Sequence, residues 1–114
     1  MLRFQYLERD QVTAEVEVDY AAKTVMVKSL TTNIYALPFG VRQNPTMADL
    51  NRFFESRCFP KERRNCRQLL EDLGLEDYIP LEIVRKTHGR QLEDYCWIRF
   101  DGEELSYEDV KLRD

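Results

Sequence analysis

The chain has no long uninterrupted apolar run, no Cys-x-x-Cys pair, no glycine-rich phosphate loop and only one histidine. Each absence removes a class of protein. A membrane-spanning helix needs about 18 or more consecutive apolar residues, and none is present. The opening residues, MLRFQYLERD, carry charges inside their apolar run and lack the layout of a secretory signal. Three cysteines, an odd number without a short pair, read as reduced thiols, and the expected location is cytoplasmic. The missing Walker loop, kinase-type glycine loop, HRD and DFG triplets exclude a complete kinase.

The scarce nucleophiles and ligands are equally restrictive. Ser29, Ser56 and Ser106 are the only serines, and none stands in a G-x-S-x-G turn. A cysteine hydrolase would have to pair His88 with Cys58, Cys66 or Cys96. Cys58 and Cys66, however, fit apolar helix stripes, where cysteine serves as a small core residue. A zinc site from Cys58, Cys66, His88 and Cys96 has suitable ligand types but lacks the close chelating spacing of structural zinc. Glu93 and Asp94 are adjacent, and on an extended segment neighbours point to opposite faces. No catalytic, cofactor-binding or metal-binding residue is assigned, and the expectation is a protein that is not an enzyme and takes no cofactor.

What is present describes one folded domain over residues 1–114. The composition is 43% hydrophobic and 33% charged, which is globular rather than disordered. The formal net charge of −4 weighs against direct nucleic-acid binding, because phosphates reward clustered cations. The 17 Lys and Arg spread along the chain weigh equally against an acidic mimic of DNA. The expected partner is another protein, with the oligomeric state left open.

The first third alternates with period two. Leu2, Phe4 and Tyr6 alternate with Arg3, Gln5 and Leu7; Val12, Ala14, Val16 and Val18 alternate with Thr13, Glu15, Glu17 and Asp19. After a turn at residues 20–23, Thr24, Met26 and Lys28 alternate with Val25, Val27 and Ser29. The period then changes. Met47, Leu50, Phe54 and Cys58 mark a helix capped by Thr46 and Asp49 and stopped by Pro60. A second helix is expected over Lys61–Leu73, with Cys66, Leu69, Leu70 and Leu73 inward and Gly74 after it. A third runs from Pro80 to about Thr87 and ends at Gly89. YCWIRF, Tyr95 to Phe100, is a strand, and Trp97 is expected in the core beneath the helices. Ser106 and Asp109 cap a short last helix. The fold class is α+β: an N-terminal antiparallel three-stranded meander, about three helices, and a C-terminal strand completing the sheet.

The stretch FFESRCFPKERRNC concentrates the charge. Helix dipoles favour anions first and cations last, yet the expected second helix begins with Lys61, Arg63, Arg64 and Arg67 and ends with Glu71 and Asp72. Pairing of Arg67 with Glu71 and of Arg64 with Gln68 would account for part of this. The other reading is a partner-binding site made by Arg57, Lys61, Arg63, Arg64 and Arg67, all expected to be exposed, since the Arg fork suits carboxylate or phosphate. In the same corner Phe54, Cys58 and Cys66 are expected to be mostly buried, with Phe59 closing the junction.

The order of Leu37, Pro38, Phe53, Phe54, Pro60, Arg63, Leu70, Leu73, Gly74 and Gly89 resembles the N-terminal subdomain of HipA-like serine/threonine kinases and related free-standing small proteins, over about residues 10 to 90. The tail, DYCWIRFDGEELSYEDV, is similar to small proteins of Firmicutes and their phages. In the kinases this subdomain carries no catalytic residue and packs on the kinase core; in split systems the free form acts as a partner or antitoxin. The resemblance therefore implies an interaction module of a toxin–antitoxin or similar mobile-element system, with a kinase-like or other protein partner. The alternative is a phage-borne anti-defence inhibitor, such as an anti-CRISPR protein, binding a nuclease effector through its charged surface.

Overall fold

The computed structural model describes residues 1–112. Three alternating segments form the expected meander: β1 (Leu2–Glu8), β2 (Gln11–Asp19) and β3 (Thr24–Ser29). A short 3₁₀ turn, Ile34–Ala36, follows. Next come α1 (Met47–Ser56), α2 (Cys66–Asp72), α3 (Pro80–Thr87), β4 (Cys96–Phe100) and α4 (Tyr107–Val110). The strands make one antiparallel sheet in the order β3-β2-β1-β4, so the C-terminal strand completes the meander at the β1 edge. The fold is α+β, as the change of period at Leu37–Gly40 indicates.

One face of the sheet carries the main core. Phe4, Tyr6, Val16, Val18, Ile98 and Phe100 meet Leu50, Phe53 and Phe54 of α1 and Val84 of α3. The Phe4 ring sits 5.6 Å from Phe54 and 6.1 Å from Phe53, close enough for the rings to stack or tilt on one another. Local chemistry fixes the starts of α1 and α3. Thr46 and Asp49 bond reciprocally at the start of α1, and Arg42 and Arg52 both reach the Asp49 carboxylate. Pro80 occupies the first turn of α3, and His88 leaves it in a left-handed conformation.

The simple alternation fails at one place, with a consequence. The β1–β2 register shifts between Tyr6 and Leu7, so that Ala14 faces Tyr6 while Val12 faces Leu7. Thr13 is the extra residue of a bulge, and its hydroxyl donates to the Tyr6 carbonyl at 3.0 Å. Leu7 and Trp97 form a second, smaller core with Val110, flanked by Val12, Leu105 and Tyr107. Trp97 is thus buried, but on the face opposite α1 and α3, beneath α4. Its indole N–H donates to the Arg9 carbonyl at 2.6 Å. Among the described residues no helix is long and apolar enough to cross a membrane.

Candidate functional site

The corner Phe53–Cys66 begins where α1 ends. Phe53 and Phe54 point into the core, and the Ser56 hydroxyl donates to the Phe53 carbonyl. Arg57 then turns inward. It is only 7% exposed, which corrects the expectation that it belongs to an exposed basic cluster. Its Nε donates to the Gly89 carbonyl at 2.8 Å, its two Nη atoms hold Asp94 at 2.7 and 3.0 Å, and Nη2 also reaches the Cys96 carbonyl at 2.9 Å. The guanidinium lies 5.6 Å from the centre of the Tyr6 ring. Burial pushes the Asp94 carboxyl up, but the Arg57 hydrogen bonds and the Cys96 N–H outweigh it and hold it below the usual range. Arg57 therefore fastens the end of α1 to the segment between α3 and β4.

The chain then forms two turns instead of a helix. The Arg63 N–H donates to the Pro60 carbonyl, and the Cys66 N–H to the Arg63 carbonyl. Helix α2 starts only at Cys66, after Asn65, whose side chain makes no capping bond. The expected start at Lys61 is thus corrected: three of the four cations precede the helix, and the unfavourable dipole argument applies to Arg67 alone. Arg67 donates to the Glu76 carbonyl and Gln68 to Asp72, in place of the expected Arg67–Glu71 and Arg64–Gln68 pairs. Of the expected inward stripe only Leu70 is fully buried; Cys66, Leu69 and Leu73 are half-buried. Phe59 is half-buried too, with its ring edge-on to Tyr78 at 5.8 Å and its carbonyl accepting from the Tyr78 hydroxyl at 2.6 Å.

The remaining cations are divided between two adjoining depressions and the open surface. Lys61 lines a depression of about 540 Å3 together with Glu55, Glu62 and Tyr78. Arg63 lines a groove of about 420 Å3 that shares Cys58 and Pro60 with that depression and whose wall also includes Arg57, Ile83, Arg90 and Glu93. Arg64 and Arg67 are exposed and line neither. Among the described residues Lys61, Arg63 and Arg64 form no ion pair. Arg90 is the residue that sequence reasoning missed. Its Nε donates to the Thr87 carbonyl and its Nη1 to the Val110 carbonyl, and the residue lines the groove. Only its place just after the helix-ending Gly89 could have flagged it.

The nucleophile candidates are engaged elsewhere. Burial pushes the Cys58 thiol up to about 12, and it donates to the Phe54 carbonyl. Burial raises Cys96 as well. Both are therefore protonated thiols at neutral pH. His88 Nε2 lies 2.9 Å from Glu103, whose other oxygen accepts the Phe100 N–H. Among the described residues no three of the His, Cys, Asp and Glu side chains gather into a metal-ligand set, so Cys58, Cys66, His88 and Cys96 are not brought together.

No protein-family model, no curated protein and no solved structure matches this chain.

Proposed function

We propose that the chain is a non-enzymatic protein-interaction module that receives an acidic segment of a protein partner on the connection between α1 and α2. The observation that supports this is the convergence of Arg63 and Arg90, from two different connections, on one groove of about 420 Å3, with Arg63 free of any carboxylate among the described residues. Guanidinium groups on the lining of one groove suit a carboxylate, which accepts paired N–H bonds. Glu93 on the same wall opposes a freely diffusing anion and favours a partner that brings its own shape-matched contacts. Arg64 and Lys61, exposed in the same connection, add positive charge that speeds the encounter with an acidic surface. Arg57 belongs to the support of this site. The resemblance to the N-terminal subdomain of HipA-like kinases makes a kinase-like toxin the expected partner.

The test is affinity capture of the tagged chain from its native host, wild type beside Arg63→Glu/Arg64→Glu. The wild type should recover one protein in stoichiometric amount, identifiable as the product of an adjacent gene, with binding that weakens as salt rises. The double variant should fold and lose it. A folded double variant that captures the same protein equally well would overturn the reading.

A further inference from the structure

We infer that the free edge of β3 pairs with the same strand of a second copy, joining two four-stranded sheets into one across a two-fold axis. The two edges of the sheet are built differently. At the β4 edge the three outward amides are all taken: Cys96 N–H donates to Asp94 Oδ1 at 3.0 Å, Ile98 N–H to the His88 carbonyl at 2.7 Å, and Phe100 N–H to Glu103 Oε1 at 2.7 Å. The outward carbonyls of Cys96 and Phe100 accept from Arg57 and from the Glu103 amide. Every outward amide of that edge, and two of its three outward carbonyls, are thus occupied by the chain's own groups.

The β3 edge is open. The Leu30 N–H donates to the Thr13 carbonyl at 2.7 Å, and Ala14 faces Ser29. This phase turns the backbone groups of Thr24, Met26 and Lys28 toward β2 and those of Val25, Val27 and Ser29 outward. Among the described residues no group bonds to those three. Exposed apolar side chains gather in the same part of the chain. Met26 is 67% and Tyr35 91% exposed, with Tyr20, Leu30 and Ile34 also open. An unpaired edge with such neighbours is a template for another strand.

The geometry selects a second copy as the occupant. Antiparallel pairing centred on Val27 sets Val25 against the partner's Ser29 and Met26 against the partner's Lys28. All three outward residues then form mutually bonded pairs, no like charges face each other, and the methionine covers the lysine stem. Because every outward amide of the β4 edge is already bonded, the assembly stops at two chains instead of growing into a fibre. No residue of β3 lines the grooves beside Arg63 or Lys61, so this inference does not depend on the function proposed above.

Sedimentation equilibrium of the full chain tests it. Over about 1 to 100 µM the wild-type mass should rise from 13.7 kDa toward twice that value, by mass action. Ser29→Pro removes an outward N–H without touching the β2 ladder and should hold the protein at the monomer mass. Met26→Lys sets a cation opposite Lys28 and should give a monomer at low salt that regains dimer at high salt. Circular dichroism confirms that each variant is folded; if the proline variant fails to fold, the lysine variant decides. A wild type that stays at the monomer mass throughout overturns the inference and leaves the edge to a strand of a different protein. A dimer that persists in the folded lysine variant at low salt overturns it equally.

Discussion

Arg57 shows how one buried cation can be read as a surface charge. It follows Ser56 in a run dense with cations, yet its guanidinium closes over a carboxylate and two carbonyls contributed by residues 89–96. The pairing has a pH signature. Asp94 titrates below its ordinary value of about 3.9 in the folded state. Its contribution to stability is therefore complete above about pH 3.9 and is lost as pH falls through the folded value. Asp94→Asn should be less stable than wild type at pH 7, and urea unfolding in a pH series should show that gap closing below about pH 4. Asp49 and Asp109 are also held low, by the backbone N–H of Thr46 and of Ser106, but they titrate in both proteins and cancel in the difference. A gap that stays constant down to pH 2 would contradict the pairing.

At the scale of elements, the ends of α2 and α3 both place glycine in the left-handed region, Gly74 at φ +75° and Gly89 at φ +66°. An L residue there costs roughly 1–2 kcal/mol. The surroundings differ. A methyl at Gly74 would meet open space, whereas one at Gly89 would lie 3.1 Å from the Ile98 side chain and 3.2 Å from Arg57 Cβ. Gly74→Ala should thus cost about 1 kcal/mol, the conformational part alone. Gly89→Ala should cost about 2–4 kcal/mol, because Ile98 and Arg57 must also shift. Urea unfolding of the two variants checks the order; equal losses would mean that the α3–β4 turn yields without strain. The same elements show what a sequence conveys. Thr46 and Asp49, Pro80, and Ser106 and Asp109 carry their own start signals, and all three helices begin where those residues place them. Nothing comparable marks the start of α2. Asn65 makes no cap, and the turns at Pro60–Cys66 arise from backbone bonds that no side-chain pattern announces.

For the whole molecule, the period-two segments and the change of period after Leu37 were enough to read the α+β architecture. The bulge at Thr13 was not legible, because both Leu7 and Val12 fit a plain alternation until the partner strand shifts their register. The side of the sheet on which Trp97 lies follows from that register and from α4, so it was hidden too. The candidate site was legible as a density of charge but not as geometry. Whether a cation is buried depends on a carboxylate 37 positions away, which spacing along one helix cannot reveal. The central claim is that the basic stretch divides into a structural tie, Arg57, and a set of cations the fold does not need. Urea unfolding at pH 7 of Arg57→Ala beside Arg63→Glu/Arg64→Glu measures this division directly. Removing Arg57 should cost about 3 kcal/mol, the low end for breaking a buried pair, because Asp94 is 38% exposed and rehydrates. The double reversal should stay within about 0.5 kcal/mol of wild type. Equal losses, or a larger loss for the double reversal, would contradict the account.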